Sequence, residues 1–183
     1  MRKIVYHVAT TLDCFIAQED HSIAGFLPEG DHIGDYLNHL QHYDTVIMGK
    51  GTYEFGYQYG MQPGDAPYPH MEHYIFSKTL HFDKAPNPKV HVVRDRELEF
   101  LHQLKQTEGT AIYCCGGAAF AGFLLENRLI DELIIKLNPV LFGKGIPLFA
   151  SQSPFATLPL TLLDTKTYDS GVLLLTYRLN YDA

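Results

Sequence analysis

The chain has no tryptophan and only three cysteines. Cys114 and Cys115 are neighbours and Cys14 lies far from both, so there is no disulfide framework and the thiols read as reduced and buried. No apolar run reaches the roughly 20 residues that span a bilayer. Basic residues are also scarce: 14 Lys and Arg stand against 21 Asp and Glu, a net charge of −7. That balance excludes a general nucleic-acid binder, which needs a basic surface to displace counterions. Any phosphate site must therefore be local. There is no G-x-S-x-G elbow, so a hydrolase of that kind is excluded. The opening Met1-Arg-Lys-Ile-Val-Tyr-His-Val8 enters a strand at once and lacks signal-peptide organisation, so the expected location is the cytoplasm.

What is present fits one soluble globular domain over residues 1–183. The length suffices for a substantial core, and 46% of the residues are hydrophobic against 19% charged. Residues 3–10 are rich in β-formers and read as a first strand. Residues 11–17 read as a loop and 18–30 as irregular connection. Ile33, Tyr36, Leu37 and Leu40 recur at helical spacing and predict a helix over 33–41. A buried strand at 45–48 then turns through Gly49 to Thr52 into a second helix. Residues 57–69 carry Gly, Pro and Tyr without periodicity and read as a long loop. Short strands follow at 74–76 and 90–93, and a helix ends near Gln106. After the next strand and helix come a strand over 132–137, a glycine turn over 142–147, and a hairpin of strands 161–168 and 172–181. Strands alternating with helices indicate α/β with a mostly parallel sheet, made mixed by the closing hairpin. In such sheets ligands bind beyond the carboxyl ends of the strands.

The most informative stretch is Ile112-Tyr-Cys-Cys-Gly-Gly-Ala-Ala-Phe-Ala-Gly-Phe-Leu-Leu-Glu126. A strand that becomes a helix through Gly116-Gly117 leaves bare N–H groups at a positive helix end, which suits an anion. Met48-Gly-Lys-Gly-Thr-Tyr53 repeats the arrangement upstream. Ser77-Lys78 and Arg94 also stand just after strands. Two readings are open for each: a capped or solvated strand end, or one part of a phosphate site. Taken together, several basic groups at strand ends in an acidic chain suit a dinucleotide with an extra ribose phosphate, NADP(H). The ten histidines include His39-x-x-His42 and His70-x-x-His73, but no Cys or Asp completes either set. The chain is read as carrying no metal site.

The order of these motifs carries a resemblance. Ala9-Thr-Thr-Leu-Asp-Cys-Phe-Ile-Ala17, Met48-Gly-Lys-Gly-Thr-Tyr-Glu54, Phe76-Ser-Lys78, Cys115-Gly-Gly-Ala-Ala119, Leu129-Ile-Asp-Glu-Leu133 and Pro139-Val-Leu-Phe-Gly-Lys-Gly-Ile-Pro-Leu-Phe149 resemble the dihydrofolate reductase-like superfamily, in its riboflavin-biosynthesis reductase branch (the RibD C-terminal domain type). The resemblance implies a three-layer fold with NADPH across the strand ends. It places Ala9 and Ile16 at the nicotinamide end and makes residues 12–17 a mobile lid. Gly49, Lys50, Gly51 and Thr52 would hold the pyrophosphate and 2′-phosphate region from one side, and Ser77, Lys78 and Arg94 the adenosine phosphate. From the other side come Cys115, Gly116 and Gly117, with Ala118, Ala119 and Phe120 opening the helix and a cis peptide joining the paired glycines.

Two departures bear on substrate. Cys115 stands where riboflavin-type reductases carry a glutamate, and Cys14 where the family has a glycine, so the lid loop is expected to turn differently. The carboxylate that dihydrofolate reductases place on the first helix falls at Ile33 by count. Asp31 and Asp35 flank it and are the candidate proton donors beside water, although both also read as ordinary helix charges. Asp13, Tyr36 and Tyr53 are the candidate substrate contacts, the tyrosines as stacking faces. The expectation is an NADPH-dependent reductase of a small, pteridine- or pyrimidine-like heterocycle, acting as a homodimer. The alternatives are a dinucleotide-binding module without turnover and dihydrofolate reduction itself.

Overall fold

The first strand has no polar face. Ile4 and Tyr6 are buried on one side, Val5 and His7 on the other, as expected of a strand covered above and below. The computed structural model describes residues 1–151 and 157–181. Its strands are β1 (Ile4–Thr10), β2 (Phe15–Ala17), β3 (Thr45–Gly49), β4 (Glu72–Phe76), β5 (Val90–Val93), β6 (Ile112–Gly116), β7 (Glu132–Leu137), β8 (Ile146–Pro147), β9 (Leu160–Thr167) and β10 (Leu173–Leu179). The helices are α1 (Asp31–Leu40), α2 (Lys50–Phe55), α3 (Glu97–Gln106) and α4 (Ala118–Glu126).

Eight strands form one sheet in the order β5-β4-β3-β6-β1-β7-β10-β9. The six from β5 to β7 are parallel, and β10 and β9 close one edge in antiparallel pairing. The two-residue side-chain period sorts the core into two layers. Ile4, Tyr6, Ile47, Ile112 and Cys114 pack with Leu101 and Leu104 of α3 and with Phe120, Ala121 and Leu124 of α4. Val5, Val46, Met48 and Tyr113 pack with Leu40 of α1 and Tyr53 of α2 on the opposite face. Burial of a Leu such as Leu101 or Leu124, neither of them exposed, contributes about 1.5–3 kcal/mol. The result is the mixed three-layer fold that the motif order implies.

The charges at the amino ends of the strands are matched. Arg2 pairs with Asp44, donates to Thr45 Oγ1 at 2.9 Å and to the Thr110 carbonyl at 2.6 Å. The buried Lys105 pairs with Asp131 at 2.6 Å, and Asp131 accepts from the Ile4 amide at 2.7 Å. These bonds tie β1, β3, β6 and α3 at that end of the sheet.

Several boundaries depart from the sequence reading. The 11–17 loop contains β2, which pairs with β8 inside the expected 142–147 turn. Strands of three and two residues are too short to show an alternation. The long loop begins with a 3-10 turn, Gly56–Tyr59. Helix α1 starts at Asp31 rather than residue 33, after Gly30 at φ +128°. Among the described residues, no helix is long and apolar enough to cross a membrane.

Candidate functional site

β3 and β6 are neighbours, and a register shift after Ile47 sets Met48 opposite Gly116. The two glycine turns that leave these strands therefore meet. A Cβ built on Gly117 would stand 3.0 Å from Thr52 Oγ1, and one on Gly49 would stand 3.4 Å from Phe120 Cβ. Gly116 has φ +108° and its peptide to Gly117 is cis, as the resemblance implies. Glycine is required at Gly116 for its dihedral and at Gly117 for the close approach. No side chain caps α4, which starts directly at Ala118, so its first amide donors remain for another partner. Phe120 is buried and stacks on Phe76 at 4.6 Å, fixing the helix against β4.

The cations lie around this crossing. Ser77 donates its amide to the Val93 carbonyl at 3.0 Å, which joins the ends of β4 and β5. Its hydroxyl accepts from the Thr79 and Leu80 amides. Lys50 reaches across to Thr79 Oγ1 at 3.4 Å and lies 3.6 Å from Glu54. Arg94 Nη2 donates to the Leu80 carbonyl at 2.7 Å, whereas its buried Nη1 has no partner among the described residues. Lys78 is exposed. A buried, unpartnered guanidinium nitrogen at the end of β5, on the same edge of strand ends as the glycine crossing, fits an anionic ligand such as a dinucleotide phosphate. A cleft of about 430 Å³ along α4 shares Ala119 with this region.

At the far end, Ala9 and Ile16 are both half-buried. The loop between them is held by named bonds. Asp13 accepts from Thr11 Oγ1 at 2.5 Å, from the Gly143 amide at 2.7 Å and from the Phe142 amide at 3.2 Å. The Thr11 hydroxyl above all, with these amides, holds its carboxyl below the usual range. Asp13 thus joins the loop to the 142–143 turn. Cys14 adopts φ +64°, taking the left-handed conformation itself. An L-residue there costs about 1–2 kcal/mol.

Between α1 and the sheet packs a cluster of rings. His7 is 2% exposed and meets Tyr36 at 5.2 Å, His39 at 5.7 Å and Tyr113 at 6.4 Å between ring centres. The Tyr36 and Tyr113 hydroxyls share a hydrogen bond of 3.0 Å, and Tyr68 Oη lies 3.9 Å from Cys115 Sγ. Burial pushes the Tyr36, Tyr113 and Cys115 pKa values up, so these groups stay protonated. Asp35 is engaged by Lys166 and by the Tyr168 hydroxyl, the latter at 2.6 Å. The Lys166 hydrogen bond first, then Tyr168, holds its carboxyl low. Asp31 is exposed and accepts from the His32 amide at 3.1 Å. Tyr53 is only 1% exposed. Its hydroxyl donates to the Asp65 carbonyl and accepts from the Gly64 amide, both at 2.9 Å. It pins the long loop and presents no open ring face.

Three of the four paired histidines make hydrogen bonds of their own. His42 meets the Asn38 carbonyl, His70 the Leu40 carbonyl, and His73 accepts from the Tyr68 amide. Among the described residues no group of three His, Cys, Asp or Glu could hold a metal. Sequence reasoning missed His7, Tyr68, Tyr113, Lys136 and the Lys166–Tyr168 pair. His7 was within reach, since it lies two residues before Ala9 and so shares its face. The others required the sheet order.

A family model described as the RibD C-terminal domain matches residues 2–174. The chain belongs to the RibD C-terminal domain family. YwjB of Bacillus subtilis (strain 168), described as an uncharacterised protein, is 36% identical over 150 residues, 81% of this chain and 83% of its own. A crystal structure of a Shewanella sp. PV-4 protein, provisionally assigned to riboflavin biosynthesis, superposes with a TM-score of 0.80 at 22% identity, covering 98% of this chain and 99% of its own. Dihydrofolate reductase from Enterococcus faecalis, complexed with NADP(H), superposes with a TM-score of 0.65 at 18% identity, covering 97% and 96%. At such identities the two structures establish the shared fold.

Proposed function

We propose that the protein is an NADPH-dependent reductase that transfers a hydride to a small, planar, pyrimidine- or pteridine-like heterocycle. The observation that carries this reading is the crossing of Gly49 and Thr52 with Gly117 and Phe120, with the unpartnered Arg94 Nη1 two strands away at the end of β5. Family membership supports it, as does the NADP(H) complex of the Enterococcus faecalis enzyme with the same fold. When bound, NADPH supplies the hydride, and the chain supplies position and charge. Gly49, Lys50, Gly51 and Thr52 would receive phosphate from one side, and Gly116, Gly117, Ala118, Ala119 and Phe120 from the other. Ser77, Lys78 and Arg94 would take the ribose phosphate, with Ala9 and Ile16 at the nicotinamide end. Tyr36 would face the substrate, and Cys115 would stand with the paired glycines on the cofactor side. Of the three proton sources considered, Asp35, Asp31 and water, the ionised and engaged state of Asp35 favours water.

That same engagement favours a second reading, a dinucleotide-binding module without turnover. Calorimetric titration with NADPH and NADH, in wild type and in a Lys78→Ala, Arg94→Ala double variant, tests the cofactor. Selective NADPH binding that the variant loses is expected, and no binding of either nucleotide refutes the reading. NADPH oxidation with any of a panel of dihydrofolate, pterins and pyrimidines would exclude the second reading. We also propose a homodimer, because edge strand β9 exposes Leu160, Leu162 and Leu163.

A further inference from the structure

On the face of the sheet covered by α1, the register places Ala9, Lys136, Leu174 and Lys166 in one row across β1, β7, β10 and β9. The two lysines of this row differ. Lys166 pairs with Asp35. Lys136 is half-buried and has no hydrogen-bond or ion-pair partner among the described residues. The fully buried cations Arg2 and Lys105 are paired, with Asp44 and Asp131. Partial burial lowers the pKa of the Lys136 ammonium, and an anionic partner would offset that cost.

A second unpartnered group stands on the same wall. His7 precedes Ala9 by two residues on β1 and is 2% exposed, yet neither ring nitrogen has a partner among the described residues. It is the strand neighbour of Ile134, two residues before Lys136. The Lys136 charge and His39 both act on it. A neutral imidazole offers one donor and one acceptor. Cation, donor and acceptor are thus unclaimed on two adjacent strands, where the resemblance puts the nicotinamide end.

We infer that Lys136 and His7 form a subsite for an acidic group attached directly to the substrate ring, a carboxylate or an ionised ring oxygen, with Lys136 as the charge partner and His7 as the hydrogen-bonding neighbour. The inference rests on the reductase reading for its account of where the substrate lies. Adjacent strands are about 4.8 Å apart, so an anion held by Lys136 stands close to a ring lying over Ala9. A phosphate on a long substituent does not meet that constraint. Lys136 acts here as a specificity residue.

The test is calorimetric titration of wild type and Lys136→Met with orotate, uracil, uridine 5′-monophosphate and uridine, each with and without saturating NADP⁺. Wild type is expected to bind orotate about tenfold or more tightly than uracil. Uridine 5′-monophosphate should gain no comparable preference over uridine. Lys136→Met is expected to lose the orotate preference while its NADP⁺ affinity stays unchanged, and Lys136→Arg to retain it. Equal binding of orotate and uracil by wild type overturns the inference, as does a preference that survives in Lys136→Met. Absence of orotate binding overturns it too. Should Lys136→Met fail to fold by circular dichroism, the wild-type comparison still decides. Failure of NADP⁺ to bind would refute the cofactor reading separately, because the pyrimidine titrations are also run without it.

Discussion

Lys166, on the edge strand β9, crosses to the carboxylate of Asp35 on α1, and Tyr168 donates to the same oxygen at 2.6 Å. The pair ties the first helix to the last hairpin across 131 residues of chain. A folded-state pKa below the ordinary value means a contribution present above that value and lost as pH falls through the folded one. Asp35→Asn is therefore expected to lower Tm at pH 7. The difference from wild type should close as pH drops below the usual carboxylate range. Melting curves from pH 7 to pH 2 check this, and a pH-independent difference would contradict it.

His7 predicts an acid weakness. Burial first, then His39 and Lys136, pulls its pKa down to about 3, and burial pulls that of His73 to about 4. Tyr36 and Tyr113 complete the surroundings of His7 and remain neutral there. Below about 6.5 the unfolded histidines take up protons that the folded ones refuse. Stability is expected to fall by up to about 1.4 kcal/mol per pH unit per histidine between these limits. His7→Phe should flatten the urea-derived profile in this window. An unchanged slope would show that His7 is not the source.

The glycine crossing gives a packing prediction. Gly117→Ala places a Cβ 3.0 Å from Thr52 Oγ1, so one side must shift. A loss of about 1–2 kcal/mol is expected, in the range for overpacking. Thr52→Ala in the same chain should recover part of it, since the two residues share one contact. Denaturant titration of both single variants and the double variant measures the coupling, and strict additivity would speak against the contact.

The exposed leucines of β9 predict the assembly. Wild type should elute as a dimer in light-scattering chromatography at micromolar concentration, and Leu162→Glu with Leu163→Glu should shift it to the monomer. A monomeric wild type would remove the basis for this proposal.

The parallel sheet was legible because its central strands are buried on both faces. Val46, Ile47 and Met48, or Ile112 to Cys114, form runs that no exposed strand could carry. The glycine pairs were legible because a bare backbone leaves a residue-type signature. The pairing of β2 with β8 was not, because Phe15 meets Pro147 and Ala17 meets Ile146 without any local periodicity. The left-handed conformation of Cys14 was not legible either, because residue type gives a preference for that region, not a prohibition.

Local pattern alone determined the long strands and helices, their order and the glycine turns where backbone is left bare, because each depends on residues within one turn or one strand of each other. Only the tertiary structure decided which charges remain available. Asp35 is engaged because β9 brings Lys166 to α1, Tyr53 is closed off because the long loop packs over it, and Lys136 has apolar strand neighbours, Ala9 and Leu174, on either side. Pairing between charges falls off within a few ångströms, and sequence distance does not encode that separation.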